Sequence, residues 1–259
     1  MSIAWHEWGS PQATPVVLLH GGHGSHAHWV RNVDALAKHD RVLVPDLPGY
    51  GASSTPPEPT MASLVATMRM ALDERIGAQT SVRLVGFSFG GLVAAKMAAQ
   101  RPNVTHLALL GAAGHGTTRR PKGKLLNWKD AQEANDDVAL RSVMRHNLLL
   151  HMLAHDAAIN DEALDIHTNA CLQTRFHSKK ISHAGGLIDA LAMARQANPD
   201  MALSAAWGEH DVTCTPASVL ELLESHGALS QSQIVQGAGH WVQYEAADLM
   251  NSFLLKALR

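Results

Sequence analysis

Short apolar runs that stop at glycine recur along this chain. Val16-Val17-Leu18-Leu19 runs into His20-Gly21-Gly22, and Val42-Leu43-Val44 into Pro45-Asp46. Val82-Arg83-Leu84-Val85 meets Gly86, Leu107-Ala108-Leu109-Leu110 meets Gly111, and Ala202 to Trp207 meets Gly208. Gln233-Ile234-Val235 precedes Gly237. Runs this short and this apolar read as strands buried on both faces, the signature of a parallel sheet. Between them lie helical patterns: Ser63 to Ile76 with Leu64, Met68, Leu72 and Ile76 in phase, the alanine-rich Gly90 to Gln100, a segment opened by Pro216, and Tyr244 to Leu258. Strand-helix alternation requires right-handed crossovers, hence a mostly parallel α/β sheet with helices on both faces. A first strand near Ile3 to Trp8 alternates differently and is expected antiparallel at one edge.

One stretch breaks the rhythm. From Gly116 to Ser182 there is no strand signal, and helical patterns run through Ala131 to His155 and Asp161 to Gln173. A block of that length between two sheet strands is an insertion. The expected division is a core of residues 1–115 and 186–259, with residues 116–185 forming a helical cap over the carboxyl edge of the sheet.

The chain has 259 residues, 46% hydrophobic and 17% charged, a globular composition rather than a disordered one. The formal net charge is −2. The longest basic stretch, Arg119 to Lys124, reads as a solvated loop, so nucleic acid is not an expected partner. Cys171 and Cys214 have no metal-like spacing and read as buried free thiols. No basic patch and apolar run open the chain and no segment reaches the length of a membrane span, so a cytoplasmic protein with no membrane partner is expected. The expected partner is a small-molecule substrate, no cofactor is called for, and a homodimer is left open.

Gly86-Phe87-Ser88-Phe89-Gly90 follows an apolar strand and opens a helix. By composition alone such a pattern turns up in roughly one chain in ten of this length, so its placement is what matters. A serine at a tight strand-to-helix turn sits in a strained conformation, and the helix aims its first N–H groups at the place where negative charge develops. A serine hydroxyl needs a base, delivered in this arrangement in the chain order serine, acid, histidine. Gly239-His240-Trp241 supplies the histidine after the last strand. Gly208-Glu209-His210-Asp211 supplies the acid, with Asp211 preferred and Glu209 second. The oxyanion donors are expected from the Phe89 N–H and from the loop after the second strand, Gly22 first and Gly21 next. His20, His23, His26 and His28 crowd that loop. Their spacing fits no helical pair and no acid lies beside them, so no metal is expected; His28 and His23 are instead candidates for lining the substrate pocket.

The strand-HGG loop, Asp46-Leu47-Pro48-Gly49-Tyr50-Gly51, GFSFG, GEHD and GHW together resemble the α/β-hydrolase superfamily over nearly the whole chain. Gly239-His240-Trp241-Val242-Gln243-Tyr244-Glu245 and His28-Trp29-Val30-Arg31-Asn32-Val33 look like segments of the meta-cleavage-product hydrolases. The resemblance implies hydrolysis of a carbon–carbon bond in a vinylogous 1,5-diketone, with Ser88 as nucleophile. It implies a cap arginine for the substrate carboxylate, a description Arg175-Phe176 fits, and Trp241 against the substrate. Phe87 stands where the family often has asparagine, His23-Gly24-Ser25 replaces its glycine-proline loop, and alignment by helix position puts His167 in the arginine's place. A carboxylesterase or lactonase would use the same residues in a different pocket; a non-catalytic ligand-binding protein is the remaining alternative.

Overall fold

In the computed structural model, which describes residues 2–259, the apolar runs are strands. They are β1 (Trp5–Trp8), β2 (Pro15–Leu19), β3 (Arg41–Pro45), β4 (Val82–Phe87), β5 (Val104–Leu110), β6 (Ala202–Gly208) and β7 (Gln231–Val235). They form one sheet in the order β1-β3-β2-β4-β5-β6-β7. Only β1 runs antiparallel, with Trp5 opposite Pro45 and Trp8 opposite Val42. Successive side chains of the inner strands β2 to β6 enter different cores, as the period of two demands. Val17 and Leu19 join one cluster while Val16 and Leu18 join the other; Leu107 and Leu109 part from Ala108 and Leu110 in the same way.

The helices are α1 (Val33–Ala37), α2 (Met61–Ile76), α3 (Phe89–Ala98), α4 (Lys129–Glu133), α5 (Asp137–His151), α6 (Asp161–Leu172), α7 (Lys179–His183), α8 (Leu187–Ala197), α9 (Pro216–Ser225), α10 (Val242–Glu245) and α11 (Ala247–Ala257). Leu64, Met68, Leu92, Leu191 and Val219 cover one face of the sheet; Val33, Leu36, Phe253 and Leu254 cover the other. Local chemistry sets the ends. Thr60 caps α2 through Ser63 N–H (3.2 Å), Asn160 caps α6 through Ala163 N–H (2.9 Å), and Pro216 occupies the first turn of α9.

Two expected helices are divided. The Ala131 to His155 pattern is α4 and α5, separated where Asn135 takes a φ of 53°. The C-terminal pattern is α10 and α11, with Ala246 between them at φ −120° and ψ 50°, outside the helical range. Three helices escape the sequence reading, the five-residue α1 and α7 and the longer α8. Leu187, Ala190, Leu191 and Ala194 of α8 have helical spacing, but the alanines give it little contrast until α3 is seen packed against them. The chain leaves the sheet after β5 and returns beside its point of departure, where Leu187 N–H donates to Gly114 O at 3.0 Å. Helices α4 to α7 lie in that excursion. Cys171 and Cys214 are buried free thiols, and no helix among the described residues is long and apolar enough to cross a membrane.

Arg83 of β4 reaches across the sheet end to Asp40 (2.9 Å) and to the Leu258 carbonyl (2.7 Å), with both charges almost out of water. Arg83→Ala leaves Asp40 buried and unpaired, and is expected to cost about 3–5 kcal/mol. The readout is a lower urea midpoint at unchanged slope. The double change Arg83→Met with Asp40→Leu is expected to be milder than Arg83→Ala alone.

Candidate active site

Ser88 joins β4 to α3 with φ 52° and ψ −118°, a conformation that disfavours any side chain. The surroundings hold it there: Ser88 N–H donates to Leu110 O, while Ser88 O accepts from Gly91 and Ala113 N–H, each at 2.9 Å. Gly90 makes the turn possible, because a Cβ there would stand 2.3 Å from Leu19 O.

His240 Nε2 lies 2.9 Å from Ser88 Oγ, and its Nδ1 lies 2.7 Å from Asp211 Oδ2. Asp211 has no accessible surface and His240 very little, whereas Ser88 is partly open. Burial pushes the Asp211 carboxyl up, but the adjacent His240 and two 2.7 Å hydrogen bonds from Thr213 outweigh it, and the group stays below its ordinary value. An ionised Asp211 can only accept, so Nδ1 carries the hydrogen and Nε2 is left to take the hydroxyl proton.

The loops behind these side chains are braced. Arg120 donates to the carbonyls of Cys214 (2.7 Å), Glu209 (3.0 Å) and Asp211 (2.9 Å), and its backbone N–H to Val212 O (2.8 Å). The basic stretch expected to be a solvated loop therefore clamps the turn that presents Asp211. Glu209, the second candidate acid, accepts from Gly237 N–H (2.9 Å) instead of meeting His240. Glu245 accepts from Gly239 N–H (2.7 Å), fixing the turn before His240.

Of the oxyanion candidates, Gly21 is already committed, since its N–H donates to His28 Nδ1 at 3.3 Å. Among the described residues the N–H groups of Gly22 and Phe89 have no partner, and they flank the serine from two elements. Because His28 Nδ1 accepts, its Nε2 carries the hydrogen; that atom is buried and has no partner.

Three expected pocket residues stand elsewhere. Arg175 donates to Gly51 O (3.0 Å), Ser53 O (2.5 Å) and Gln173 O (3.0 Å), so its guanidinium ties the insertion to the Tyr50–Ser53 turn rather than facing a ligand. Trp241 is fully buried, stacked on Tyr244 (4.1 Å) with its indole N–H on His28 O (3.1 Å); it supports His28 from behind. Phe87 is also fully buried, packed between the rings of His28 (5.4 Å) and His240 (5.0 Å). His23 is exposed on the oxyanion loop with φ 51°, within electrostatic reach of His177, Lys179 and Lys129. His167 is buried with Nδ1 unpartnered.

Sequence reasoning missed His151 and Ser178, both in the insertion. The ring of His151 lies 5.6 Å from that of His240, and burial, with the nearby His240 and Arg119, pushes its pKa down to about 3. Ser178 is buried, and its Oγ would lie 2.6 Å from a Cβ placed on Gly22. Neither stands in a motif, and 17 histidines offered no way to choose one.

With the geometry in place, residues 14–163 match the alpha/beta hydrolase fold family. The chain belongs to that family. Its sequence is 27% identical over 265 residues to the 2-hydroxymuconate semialdehyde hydrolase of Pseudomonas sp. (strain CF600), covering 94% of this chain and 87% of the relative. In fold it is similar to a meta-cleavage product hydrolase from Pseudomonas fluorescens IP01 (TM-score 0.73, 23% identity, 99% of this chain and 93% of that chain). Some curated relatives are longer. The chain spans 66% of the dihydrolipoyllysine-residue acetyltransferase component of an acetoin cleaving system from Pseudomonas putida, at 27% identity over 99% of its own length, and 31% and 26% of two others.

Gly22→Ala is expected to cut ester turnover sharply, since the new methyl meets Ser178 Oγ, and a second change, Ser178→Ala, is expected to restore much of it. Kinetics of the single and double variants on a p-nitrophenyl ester check this. Burial also pushes His20 and His167 down to about 4, and His28 well below its ordinary value. Their folded values lie below the unfolded value of about 6.5, so the unfolded chain binds more protons in acid. Stability is therefore expected to be full above about pH 6.5 and to fall as pH drops toward 4, by up to about 1.4 kcal/mol per unit for each histidine. Urea midpoints at a series of pH values measure it.

Proposed function

We propose that the hydrolase acts through a Ser88-His240-Asp211 triad and cleaves a carbon–carbon bond in a small anionic dienoate of the meta-cleavage type. The hydrogen-bonded line from Asp211 through His240 to Ser88 carries the reading of the triad. In this reading the dienol first becomes its keto tautomer. His240 takes the Ser88 proton as Oγ attacks the ketone carbon. The Gly22 and Phe89 N–H groups receive the oxyanion. As the oxyanion collapses, the carbon–carbon bond breaks, its electron pair stays with the dienolate fragment, and the protonated His240 returns a proton to that fragment. Water activated by His240 then releases the acyl group as a carboxylic acid.

Charge around the mouth supports an anionic substrate. His23 has His177, Lys179 and Lys129 in reach, and Arg119 acts on His151 and His115. The acid acting on His151 and His115 is Asp211, already paired with His240. Residues 116–185 serve as the cap, and the unpartnered nitrogens of His28 and His167 are the polar atoms offered to a substrate in place of Arg175. The full-length relationship to a 2-hydroxymuconate semialdehyde hydrolase supports the same substrate class.

The alternative is a carboxylesterase or lactonase. The occupied guanidinium of Arg175 favours it, because a neutral ester needs no buried cationic anchor. Ser88→Ala is expected to lower kcat by roughly 10⁴-fold or more in either case, and near-normal turnover would assign the nucleophile elsewhere. Parallel assays on a coloured meta-cleavage dienoate and a p-nitrophenyl ester separate the two. Fast ester hydrolysis with an inert dienoate would overturn the carbon–carbon reading.

A further inference from the structure

We propose that His6, His26 and Asp46 form a binding site for a single divalent transition-metal ion of the Zn²⁺ class. The three residues come from separate parts of the chain. His6 lies on the edge strand β1, opposite Val44 of β3; Asp46 follows β3 directly; His26 begins a short 3-10 helix, His26–Trp29, just beyond the oxyanion loop. The fold stacks the two imidazoles face to face, 3.5 Å between centroids and 19° between planes, and sets both against one carboxylate.

The donor atoms converge. His26 Nδ1 is 3.1 Å from Asp46 Oδ1 and His6 Nε2 is 3.8 Å from Asp46 Oδ2. One ligand atom from each residue lies within 4.8 Å of the others. A tetrahedral Zn²⁺ with bonds of about 2.0–2.2 Å holds its donors roughly 3.3 Å apart. The His26–Asp46 pair is already there; the His6–Asp46 pair (3.8 Å) and the His6–His26 pair (within 4.8 Å) have to close, and the stacked rings must tilt apart so that both lone pairs meet at one ion. The carboxylate is aimed beforehand, since Oδ1 accepts from His26 N–H (2.8 Å) beside the His26 ring Nδ1 (3.1 Å) and Oδ2 accepts from Ala52 N–H (3.0 Å), which leaves a lone pair on Oδ2.

A second observation points to a ligand. His6 Nε2 is enclosed and has no hydrogen-bond partner, although it faces the carboxylate. A nitrogen so placed loses its water without a replacement, and a cation restores the missing interaction. The two rings keep about a third of their side-chain surface exposed (33% and 36%), so an ion can enter and retain water at its remaining position. Two imidazoles with one carboxylate suit Zn²⁺, Co²⁺, Ni²⁺ or Cu²⁺ rather than Mg²⁺ or Ca²⁺. Bound there, the ion would join β1, the end of β3 and the segment after the oxyanion loop, and so stabilise the folded chain.

The sequence argued against a metal in the oxyanion loop because no acid lies near its histidines. The fold supplies that acid, with a further histidine, from distant segments. The inference does not depend on which substrate the hydrolase uses.

The test is calorimetric titration of Zn²⁺ into the full chain freed of any histidine tag, with thermal unfolding in EDTA and in Zn²⁺. The expected result is about one ion per chain with a Kd in the micromolar range, and a Tm higher by a few degrees in Zn²⁺. His6→Phe and His26→Phe keep a ring in the stack but remove a donor, and each is expected to weaken binding at least about tenfold; His6→Gln serves if the first does not fold. Absence of binding at about 100 µM Zn²⁺, where a micromolar site would be filled, would overturn the proposal. Undiminished binding in the His6→Phe/His26→Phe double variant would overturn it too, by placing the ion on other histidines.

Discussion

The backbone at Ser88 is the constraint around which the rest is arranged. A serine with φ 52° and ψ −118° persists only where its surroundings over-determine it. Here β5 supplies the acceptor for its N–H, the α3 turn and the segment after β5 supply donors to its carbonyl, and Gly90 lets the β2 backbone come close. The strain raises Oγ above the carboxyl edge of the sheet, the one place from which β2, β6 and β7 can all bring a loop to it. The inner strands of the sheet supply that rigidity, because each of them is fixed by two cores at once.

Precision at such a site comes from what holds the loops as much as from the reacting groups. Asp211 is a side chain on a turn, and the turn has no strand of its own. Arg120 replaces strand pairing with three side-chain bonds and one backbone bond to the residues around Asp211. Glu209 and Glu245 do the same for the loop of His240 by accepting the N–H groups of Gly237 and Gly239. Three charged side chains that could be mistaken for catalytic or solvent-exposed groups are thus occupied in shaping backbone.

The sheet was legible, and the three side chains singled out, Ser88, Asp211 and His240, do meet, because each sits at a strand end, where local pattern and position in the chain coincide. Choosing Asp211 over Glu209 followed from chain order and agrees with the 2.7 Å contact to His240. What the sequence hid depends on the insertion. Arg175 has the composition of an anion anchor, but carbonyls of the Tyr50–Ser53 turn, more than a hundred residues earlier, capture it. Trp241 reads as a pocket aromatic until its complete burial behind His28 is seen. Side-chain direction on a helical excursion is decided by tertiary contact, and no short-range spacing records it.

The histidines follow from the same logic. An imidazole beside a catalytic histidine would repel the imidazolium that forms during turnover if it were itself charged. Burial removes that difficulty at His151 by pushing its pKa down to about 3, so it stays neutral near neutral pH. The same burial lowers His28 and His167, which keeps their free nitrogens available as hydrogen-bonding groups rather than as charges. Neutral nitrogens of this kind can bind a polar or anionic group without adding a permanent counter-ion beside His240. Lys129 and Lys179, the cations near His23, are exposed, where water weakens their effect on groups at Ser88. On the proposed mechanism this leaves attraction at the rim and neutrality at the reacting centre, where the positive charge of His240 would appear and disappear in each cycle.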